Sequence, residues 1–204
     1  MYPRRMMIVG VIMMLVAIGI LAFTLVIAGE EEDAVKKAAR FDGDAAGAVQ
    51  GEPIIIEGRV SARNRMLLRD FVDAAKEYQA DKGSWTILES YRQPVLADLA
   101  RGGIILNSGN VCTRAKGNNV LETDERTASG RKIRYTGLKR GDPITAVGTL
   151  NSSAQAALEV AYWYSGSVAD YQNYLASSRK GAYIFFAVIA ALGAGFILLG
   201  LKNR

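Results

Sequence analysis

The chain has 204 residues, with 25 Lys and Arg, 20 Asp and Glu, a single Cys and no His. The absence of His excludes Ser-His and Cys-His nucleophilic sites, and one thiol supplies neither an internal disulfide nor the ligands of a structural zinc. An isoelectric point near 9.3 is typical of nucleic-acid-binding proteins, but half of the residues are hydrophobic and the mean hydropathy is positive, at +0.10. This combination indicates a membrane protein.

The first predicted elements are a tail, residues 1–5, and an uncharged apolar run over residues 6–28. A helix of these 23 residues is about 34 Å long, which exceeds the roughly 30 Å hydrocarbon core of a bilayer. Arg4 and Arg5 before the run also suit a cleavable signal peptide, but the run is longer than the apolar region of such peptides, which has about 7–15 residues. The sequence therefore favours a retained first transmembrane helix.

A second uncharged run of 20 residues, 182–201, predicts a second transmembrane helix before a tail at 202–204. Two spans place both termini on one side of the membrane and the region between them on the other. Arg4 and Arg5 precede the first span and four acidic residues follow it, which favours cytoplasmic termini and an extracytoplasmic central domain. Only four of the 25 basic residues, and none of the acidic ones, lie outside 29–180. The high isoelectric point therefore reflects topology, and a nucleic-acid partner is not expected.

Between the spans, residues 29–50 are rich in acidic residues, Ala and Gly, and predict a short helix over 31–40 followed by a linker. Residues 51–166 predict a small β-barrel or sandwich, because short β-branched segments alternate with Gly- and Asn-rich turns. The predicted strands are 54–60, 85–89, 93–96, 103–106 and 144–150, and Tyr162 and Tyr164 suit a last strand.

Two further segments have helical spacing. In 66–78 the apolar residues slightly favour a helix, although a strand through 70–79 also fits. Residues 167–181 predict a membrane-proximal helix, with Ser167 as its N-cap and Asp170 in a capping box. The predicted fold is thus mainly β, with a membrane-anchored domain flanked by two transmembrane α-helices and a short membrane-proximal helix.

Several segments occur in an order known from one family of membrane proteins. They are an opening strand that ends at 57–60, Ser84-Trp85 before a strand, 94–98 followed by 102–106, 137–142 leading into 144–150, and a second span after a short helix. This order resembles the GIDE family, also called the beside-a-membrane (BAM) domain, of membrane-anchored ubiquitin ligases and prokaryotic relatives. The resemblance covers about three quarters of the chain. It implies an OB-like barrel between two membrane helices and favours a strand around 71–79.

The resemblance does not imply that this chain has the ligase activity of the family. Its ligase members have a C-terminal RING built from Cys and His, whereas this chain ends at Arg204, three residues after the second span. What the resemblance implies is the role of the domain itself, a docking or regulatory module close to a membrane.

The best candidate site for an anionic partner is the densest basic stretch of the chain. A surface of this kind attracts lipid headgroups or other anions. Its members are Arg131, Lys132, Arg134, Lys139 and Arg140. The alternation of Ile133 and Tyr135 with charged neighbours is also typical of a half-buried edge strand with a solvated outer face, so both interpretations stay open. The nearby acidic residues Glu122, Asp124 and Glu125 are interpreted as a solvated turn.

Two further residue sets concern the membrane. Aromatic residues around the start of the second span suit the headgroup region, where an apolar ring with a polar edge is favoured, and they are Tyr162, Trp163, Tyr164, Tyr171, Tyr174 and Tyr183. Within the second span, small residues four apart would admit another helix, either the first span or another protein, and they are Ala187, Ala191 and Gly195.

The sequence as a whole predicts a non-catalytic, membrane-anchored interaction or scaffold subunit, whose domain docks a protein partner or lipid headgroups. No catalytic residues, metal site or cofactor are predicted. One alternative is a membrane-bound hydrolase using Ser129 and Lys132, because Ser-x-x-Lys on a helix lets an amine activate a serine. Ser177 and Lys180 have the same spacing. A third possibility is an accessory subunit of a transport or biogenesis complex, held through its transmembrane helices.

Overall fold

The computed structural model describes residues 3–44, 51–80, 83–107, 120–151 and 157–202. The chain divides into two compact units, one formed by Met1–Asp33 and Gln172–Arg204 and the other by Ala34–Tyr171. The first unit is helical, and the second consists mainly of β-strands.

The helical unit is built from two long helices, α1 over Pro3–Lys37 and α2 over Val168–Lys202. They contain the predicted apolar runs 6–28 and 182–201, and each is long and apolar enough to cross a membrane. Most of their apolar surface is uncovered, since only 6% of the most apolar stretch of α1 and 11% of that of α2 are buried.

Glycines bring the two antiparallel helices close together. A Cβ atom on Gly10 would lie 2.6 Å from the carbonyl oxygen of Gly193, and one on Gly200 would lie 2.5 Å from Cγ of Met7. Gly10 and Ala17 are both buried and lie seven residues apart, which is the repeat expected when one side of a helix faces a partner helix. The contact is therefore made by backbones at small residues.

The predicted helices at 31–40 and 167–181 are not separate elements, which corrects the sequence interpretation. α1 continues into the first segment and ends at Lys37, while residues 39–40 of that segment belong to the strand Ala39–Phe41. α2 begins at Val168 and continues through the second segment. Gly29 and Gly181 mark the predicted breaks, but a helical glycine costs only about 1 kcal/mol relative to Ala. Without an interior proline, that cost does not end a helix.

Ser167 and Asp170 define the start of α2. The Ser167 hydroxyl oxygen accepts a hydrogen bond from the backbone N–H of Asp170 at 3.2 Å, and Oδ2 of Asp170 accepts one from the backbone N–H of Ser167 at 3.1 Å. This confirms the predicted capping box. The hydrogen bonds from the hydroxyl and backbone of Ser167 hold the pKa of the Asp170 carboxyl below its usual value.

We expect Ser167→Ala to lower the free energy of unfolding by about 1 kcal/mol, because the helix N-terminus loses its side-chain acceptor. Urea unfolding of the purified full chain in maltoside micelles measures the change through tryptophan fluorescence. Both tryptophans of the chain, Trp85 and Trp163, belong to the unit Ala34–Tyr171. Ser167→Asn, which keeps an acceptor, is expected to retain most of the stability; an equal loss in both variants would contradict the capping role.

The β-unit contains ten strands within the described residues. In chain order they are β1 Ala39–Phe41, β2 Pro53–Val60, β3 Phe71–Gln79, β4 Trp85–Tyr91, β5 Val95–Leu99, β6 Gly102–Asn107, β7 Val120–Arg126, β8 Lys132–Lys139, β9 Pro143–Asn151 and β10 Ala157–Tyr164. The predicted strands 54–60, 85–89, 103–106 and 144–150 are confirmed, while the segment predicted at 93–96 starts two residues later.

Five strands close into a barrel in the order β2, β5, β6, β10, β9 and back to β2. Neighbouring strands are antiparallel except β6 and β10, which are parallel. β1 adds to β2 in parallel. The predicted small barrel is therefore present as a closed five-stranded form.

Apolar side chains fill the barrel. They come from every barrel strand and include Ile56, Val95, Leu106, Ala146 and Trp163, all of which are buried. Burying a large aliphatic side chain stabilises a fold by about 1.5–3 kcal/mol relative to leaving it exposed, so this core is the main source of barrel stability.

One barrel position requires glycine for close backbone packing. A Cβ atom on Gly148 in β9 would lie 2.1 Å from the carbonyl oxygen of Glu159 in β10. The register of these strands shifts between Val160 and Tyr162, immediately beside this contact. A glycine inside a strand is typical of such a bulge, where two backbones come closer than a side chain permits.

The remaining strands form a second sheet in the order β4, β3, β8, β7. Its own apolar cluster consists of Phe71, Ala74, Ile133 and Tyr135. Val72 and Leu138, from the same two central strands, belong to the barrel core instead. The central strands β3 and β8 therefore link the second sheet to the barrel.

The structure corrects two further sequence interpretations. The segment 66–78 contains strand β3 rather than a helix, as the family resemblance implied, because Phe71 and Val72 are buried against different clusters. A strand covered on both faces loses the alternation that distinguishes strand from helix. Residues 122–125 lie in β7 instead of a turn, and its pairing with β8 makes β8 a central strand rather than an edge strand.

Candidate functional site

The five predicted basic residues do not form one patch. Lys132 and Lys139 are the first and last residues of β8, which places them about 23 Å apart in an extended strand. Four of them contact groups of the domain itself, and Arg131 does so through the Tyr78 ring, whose centre lies 5.4 Å from its guanidinium carbon. Lys132 alone of the five lines a polar cavity. Lys132 therefore has a different role from the other four residues.

Arg134 compensates a buried carboxylate. Its Nε donates a hydrogen bond to Oε2 of Glu77 at 2.7 Å, and the Glu77 side chain is only 1% exposed. The guanidinium carbon lies 4.2 Å from the centre of the Trp85 ring, within the range of a cation–π contact. Arg134 is thus a structural cation rather than a free binding group.

Lys139 and Arg140 also contact acceptors of the domain. Nζ of Lys139 lies 3.7 Å from Oδ2 of Asp70 and 5.0 Å from the centre of the Phe71 ring. Nε of Arg140 donates a hydrogen bond to the Asn64 carbonyl oxygen at 2.8 Å. These contacts anchor the turn after β8 and engage both cations within the domain.

A tight turn joins β7 to β8 and determines their register. The backbone N–H of Thr127 donates to the carbonyl oxygen of Arg131, and that of Gly130 donates to the carbonyl oxygen of Thr127, both at 2.8 Å. Gly130 has a φ of +78°, a conformation that favours glycine. The resulting register places Arg126 directly opposite Lys132.

A cavity of about 400 Å³ opens at this end of the second sheet. Its volume lies within the range of about 300–1,000 Å³ found for small-molecule sites. The lining comes from all four strands of the sheet and is mostly polar. It consists of Gln79, Trp85, Thr123, Glu125, Arg126, Lys132 and Ile133.

Arg126 and Lys132 supply the positive charge of the cavity. Like charges directly opposite each other in a strand pair are destabilising. Nη1 of Arg126 donates to the Gly130 carbonyl oxygen at 2.9 Å, which leaves other guanidinium N–H donors. The Lys132 ammonium group makes no hydrogen bond or ion pair with the residues that the structure describes.

The carboxylate in the cavity lining is already compensated. Glu125 accepts a hydrogen bond from the Tyr135 hydroxyl at 2.8 Å through Oε2 and contacts the Arg69 guanidinium through Oε1. The Tyr135 hydrogen bond and the Arg69 charge lower the pKa of Glu125, while burial and the hydrogen bond to Glu125 raise the pKa of Tyr135. Glu125 is therefore ionised at neutral pH and paired outside the cavity, so the charges of Arg126 and Lys132 are not cancelled by it.

Sequence reasoning identified Lys132 but missed Gln79, Trp85, Thr123 and Arg126 as its neighbours. The signal that was available is the turn sequence Thr-Ala-Ser-Gly before β8, which is typical of a hairpin. Extending a hairpin from that turn would have placed Arg126 opposite Lys132. Gln79 and Trp85 come from distant strands, and no local pattern connects them.

The predicted membrane-interface aromatics occupy different environments. Trp163 is buried in the barrel core and Tyr171 is fully buried, so both rings lie inside the β-unit rather than at its surface. Tyr164 stacks on Tyr171 with ring centres 5.1 Å apart, and Tyr162 is half-buried. Tyr174 and Tyr183, both on α2, are exposed. Of the set, only these two rings are exposed.

The predicted small-residue ladder lies away from the contact between the helices. Ala187 and Ala191 are exposed, and a Cβ atom on Gly195 would meet nothing within 4 Å. Gly193 and Gly200 make the close approach to α1 instead. The first span is therefore not the partner of the ladder, and contact with another protein stays a prediction.

The hydrolase alternative requires Ser129 to be activated by Lys132. The Ser129 hydroxyl lies 2.9 Å from Oγ1 of Thr127 within the turn, and no hydrogen bond joins Ser129 to Lys132 among the described residues. The pair lies on a turn and a strand rather than on the helix that this spacing needs. Within the same residues, no group of three or more acidic, His or Cys side chains is arranged to hold a metal ion.

Comparisons with protein families, curated proteins and solved structures found no match for this chain.

Proposed function

We propose that this chain is a non-catalytic, membrane-anchored interaction subunit, whose central domain docks a partner beside the membrane. The observation that carries the proposal is the uncovered apolar surface of α1 and α2. Leu15 and Phe23 on α1 are 64% and 69% exposed, and Leu198 on α2 is 65% exposed. A core helix of a water-soluble protein buries such side chains, whereas lipid covers them in a membrane.

Two features support retention of α1 as an anchor. Its close contact with α2 at Gly10 and Gly193 would be lost if the segment were cleaved as a signal peptide. Nη1 of Arg179 lies 3.2 Å from Oε2 of Glu32, so an ion pair joins the two helices just beyond their apolar runs. Charged residues at this level suit the boundary between hydrocarbon and headgroups.

The family resemblance supports the role of the domain. A five-stranded closed barrel between two apolar helices agrees with the architecture that the GIDE resemblance implies. We propose membership of that family, with both termini cytoplasmic and the domain extracytoplasmic.

Fractionation of cells expressing the full chain tests the anchor. We expect the chain to stay in the membrane pellet after alkaline carbonate extraction and to leave it in detergent. Release by carbonate would overturn the membrane assignment.

A second experiment tests the orientation by labelling Cys112, which lies outside the described residues, with an impermeant maleimide. Labelling in intact cells agrees with the proposal, and labelling only after lysis contradicts it.

A replacement of residues 39–164 by a flexible linker tests whether the domain makes the interaction. We expect a partner cross-linked to the full chain in membranes to be lost from this variant, which keeps both helices. Retention of the partner would overturn domain docking and favour an accessory subunit held through its transmembrane helices.

A further inference from the structure

We propose that the cavity lined by Arg126 and Lys132 binds a phosphate group of the docked ligand. This inference deepens the interaction role and rests on it for its biological use. It concerns a site that the basic-patch prediction did not define, because Arg126, Gln79 and Trp85 were absent from that prediction.

Arg126 and Lys132 bring two positive charges to the cavity, and no unpaired carboxylate faces them among the described lining residues. Arg126 and Lys132 are cross-strand partners, which places their Cα atoms about 5 Å apart. Both side chains reach the same cavity. The only carboxylate in the described lining belongs to Glu125, which is paired with Arg69 and Tyr135. An anion bound between the two cations would relieve their mutual repulsion.

Hydrogen bonds hold the two cations on a rigid frame. The hydrogen bonds of Thr127 and Gly130 close the turn, and the bond from Arg126 to the Gly130 carbonyl oxygen orients the guanidinium. The opposite wall is held by Trp85, whose ring is covered by Arg134 of the buried Glu77 pair. The cations are therefore presented on a prearranged frame, which lowers the entropy lost on binding.

The hydrogen-bond donors of the cavity match the acceptor oxygens of a phosphate group. A phosphate group carries a charge of about −1.5 to −2 near pH 7 and has three strong acceptor oxygens. Arg126 offers a planar fork of N–H donors and Lys132 a compact cation. The Gln79 amide, which makes no hydrogen bond with the described residues, adds further donors.

Thermal unfolding of the purified full chain in maltoside micelles tests the site. We expect sodium phosphate to raise the midpoint saturably above the effect of sodium chloride at equal ionic strength. Lys132→Gln is expected to weaken the apparent affinity about tenfold or more, because a charge-assisted contact is lost. Lys37→Gln removes the same charge from an exposed position on α1 and should leave the affinity unchanged.

The unliganded variants separate binding from a structural role. Without phosphate, Lys132→Gln is expected to unfold at the same temperature as the parent chain or higher, because the repulsion with Arg126 is removed. A midpoint well below that of the parent would overturn the assignment of Lys132 as a binding cation. Equal phosphate responses in Lys132→Gln and Lys37→Gln, or no response beyond that of chloride, would overturn the site.

A second arm distinguishes the source of the phosphate. Mixed micelles with phosphatidic acid are compared with micelles containing the same fraction of phosphatidylcholine. A stabilisation that phosphatidic acid produces and Lys132→Gln abolishes supports a lipid headgroup, and a response to inorganic phosphate alone supports a soluble phosphate ligand. The absence of both responses overturns the inference. Because these measurements use purified chain, they fail or succeed independently of the carbonate extraction that tests the membrane anchor.

Discussion

Replacing Asp73 by Asn is expected to raise the free energy of unfolding by about 3 kcal/mol at pH 7.5 but by only about 0.5 kcal/mol at pH 4. Asp73 lies at the bulge of β3, where its side chain is 8% exposed and Oδ2 has no hydrogen-bond partner among the described residues. Burial raises the pKa of its carboxyl from 3.8 to about 6, against the opposing effect of the Arg92 charge. An ionised Asp73 is therefore a cost to the folded state.

The sign of the pH dependence follows from proton linkage. Between pH 3.8 and about 6 the folded chain binds more protons at Asp73 than the unfolded chain, so stability falls as pH rises through this window. Each unit of pKa difference corresponds to about 1.4 kcal/mol, which gives the expected magnitude. Above about pH 6 Asp73 is ionised in the folded chain and its full destabilising effect is present. The uncharged side chain of Asn removes this effect.

Urea unfolding at both pH values, followed by tryptophan fluorescence, measures this effect. Asp98→Asn is the matched control, because Asp98 is an exposed strand carboxylate paired with Arg63 at 3.0 Å. The free energy of unfolding of this control should differ little from that of the parent chain, since exposed ion pairs contribute about 0–1 kcal/mol to stability. A stabilisation by Asp73→Asn of equal size at pH 4 would show that packing, not ionisation, is responsible.

Removing the buried carboxylate of Glu77 is expected to have the opposite effect. Glu77→Ala should lower the free energy of unfolding by about 3 kcal/mol, because the Arg134 side chain, only 22% exposed, then remains beside Trp85 without its anion. Glu57→Ala, on an exposed position of β2, should change stability by no more than about 0.5 kcal/mol.

A double substitution separates the charge effect from packing. Glu77→Leu with Arg134→Met replaces the ion pair by apolar side chains of similar length, and we expect it to recover most of the stability lost in Glu77→Ala. If the double variant is as unstable as Glu77→Ala, the stability is lost because the geometry of the pair is lost and not because a charge is left unpaired. The same urea titration serves all three variants.

Elements with a local signal were predictable from the sequence. The apolar runs at 6–28 and 182–201 and the strand at 54–60 follow from composition and β-branching, which need no knowledge of distant residues. The capping box of α2 uses Ser167 and Asp170, only three residues apart. The segment 66–78 was wrongly predicted as a helix because strand β3 is buried against two different apolar clusters. Apolar residues therefore occur on both faces of the strand, and the alternation typical of a strand is lost.

The candidate site was only partly predictable. Lys132 stands out as a basic residue on an alternating strand, but its neighbours Gln79 and Trp85 reach the cavity through pairing of β3 with β8 and β4. Sequence density also grouped Lys132 with Lys139, although the length of β8 separates them. A linear cluster of charge is therefore a poor guide to a binding surface on an extended strand.

Two helices long and apolar enough to span a membrane, with a strand-rich region between them, follow from the sequence alone, because length, hydropathy and turn residues act locally. Which charges are engaged depends on the tertiary structure. Arg134 pairs with Glu77, which is 57 residues away in the sequence, and Glu125 pairs with Arg69, which is 56 residues away. Electrostatic pairing depends on distance in space, and strand register sets that distance. It therefore became visible only after the sheet was assembled that Arg126 and Lys132 lie opposite each other, with no unpaired carboxylate in the described lining.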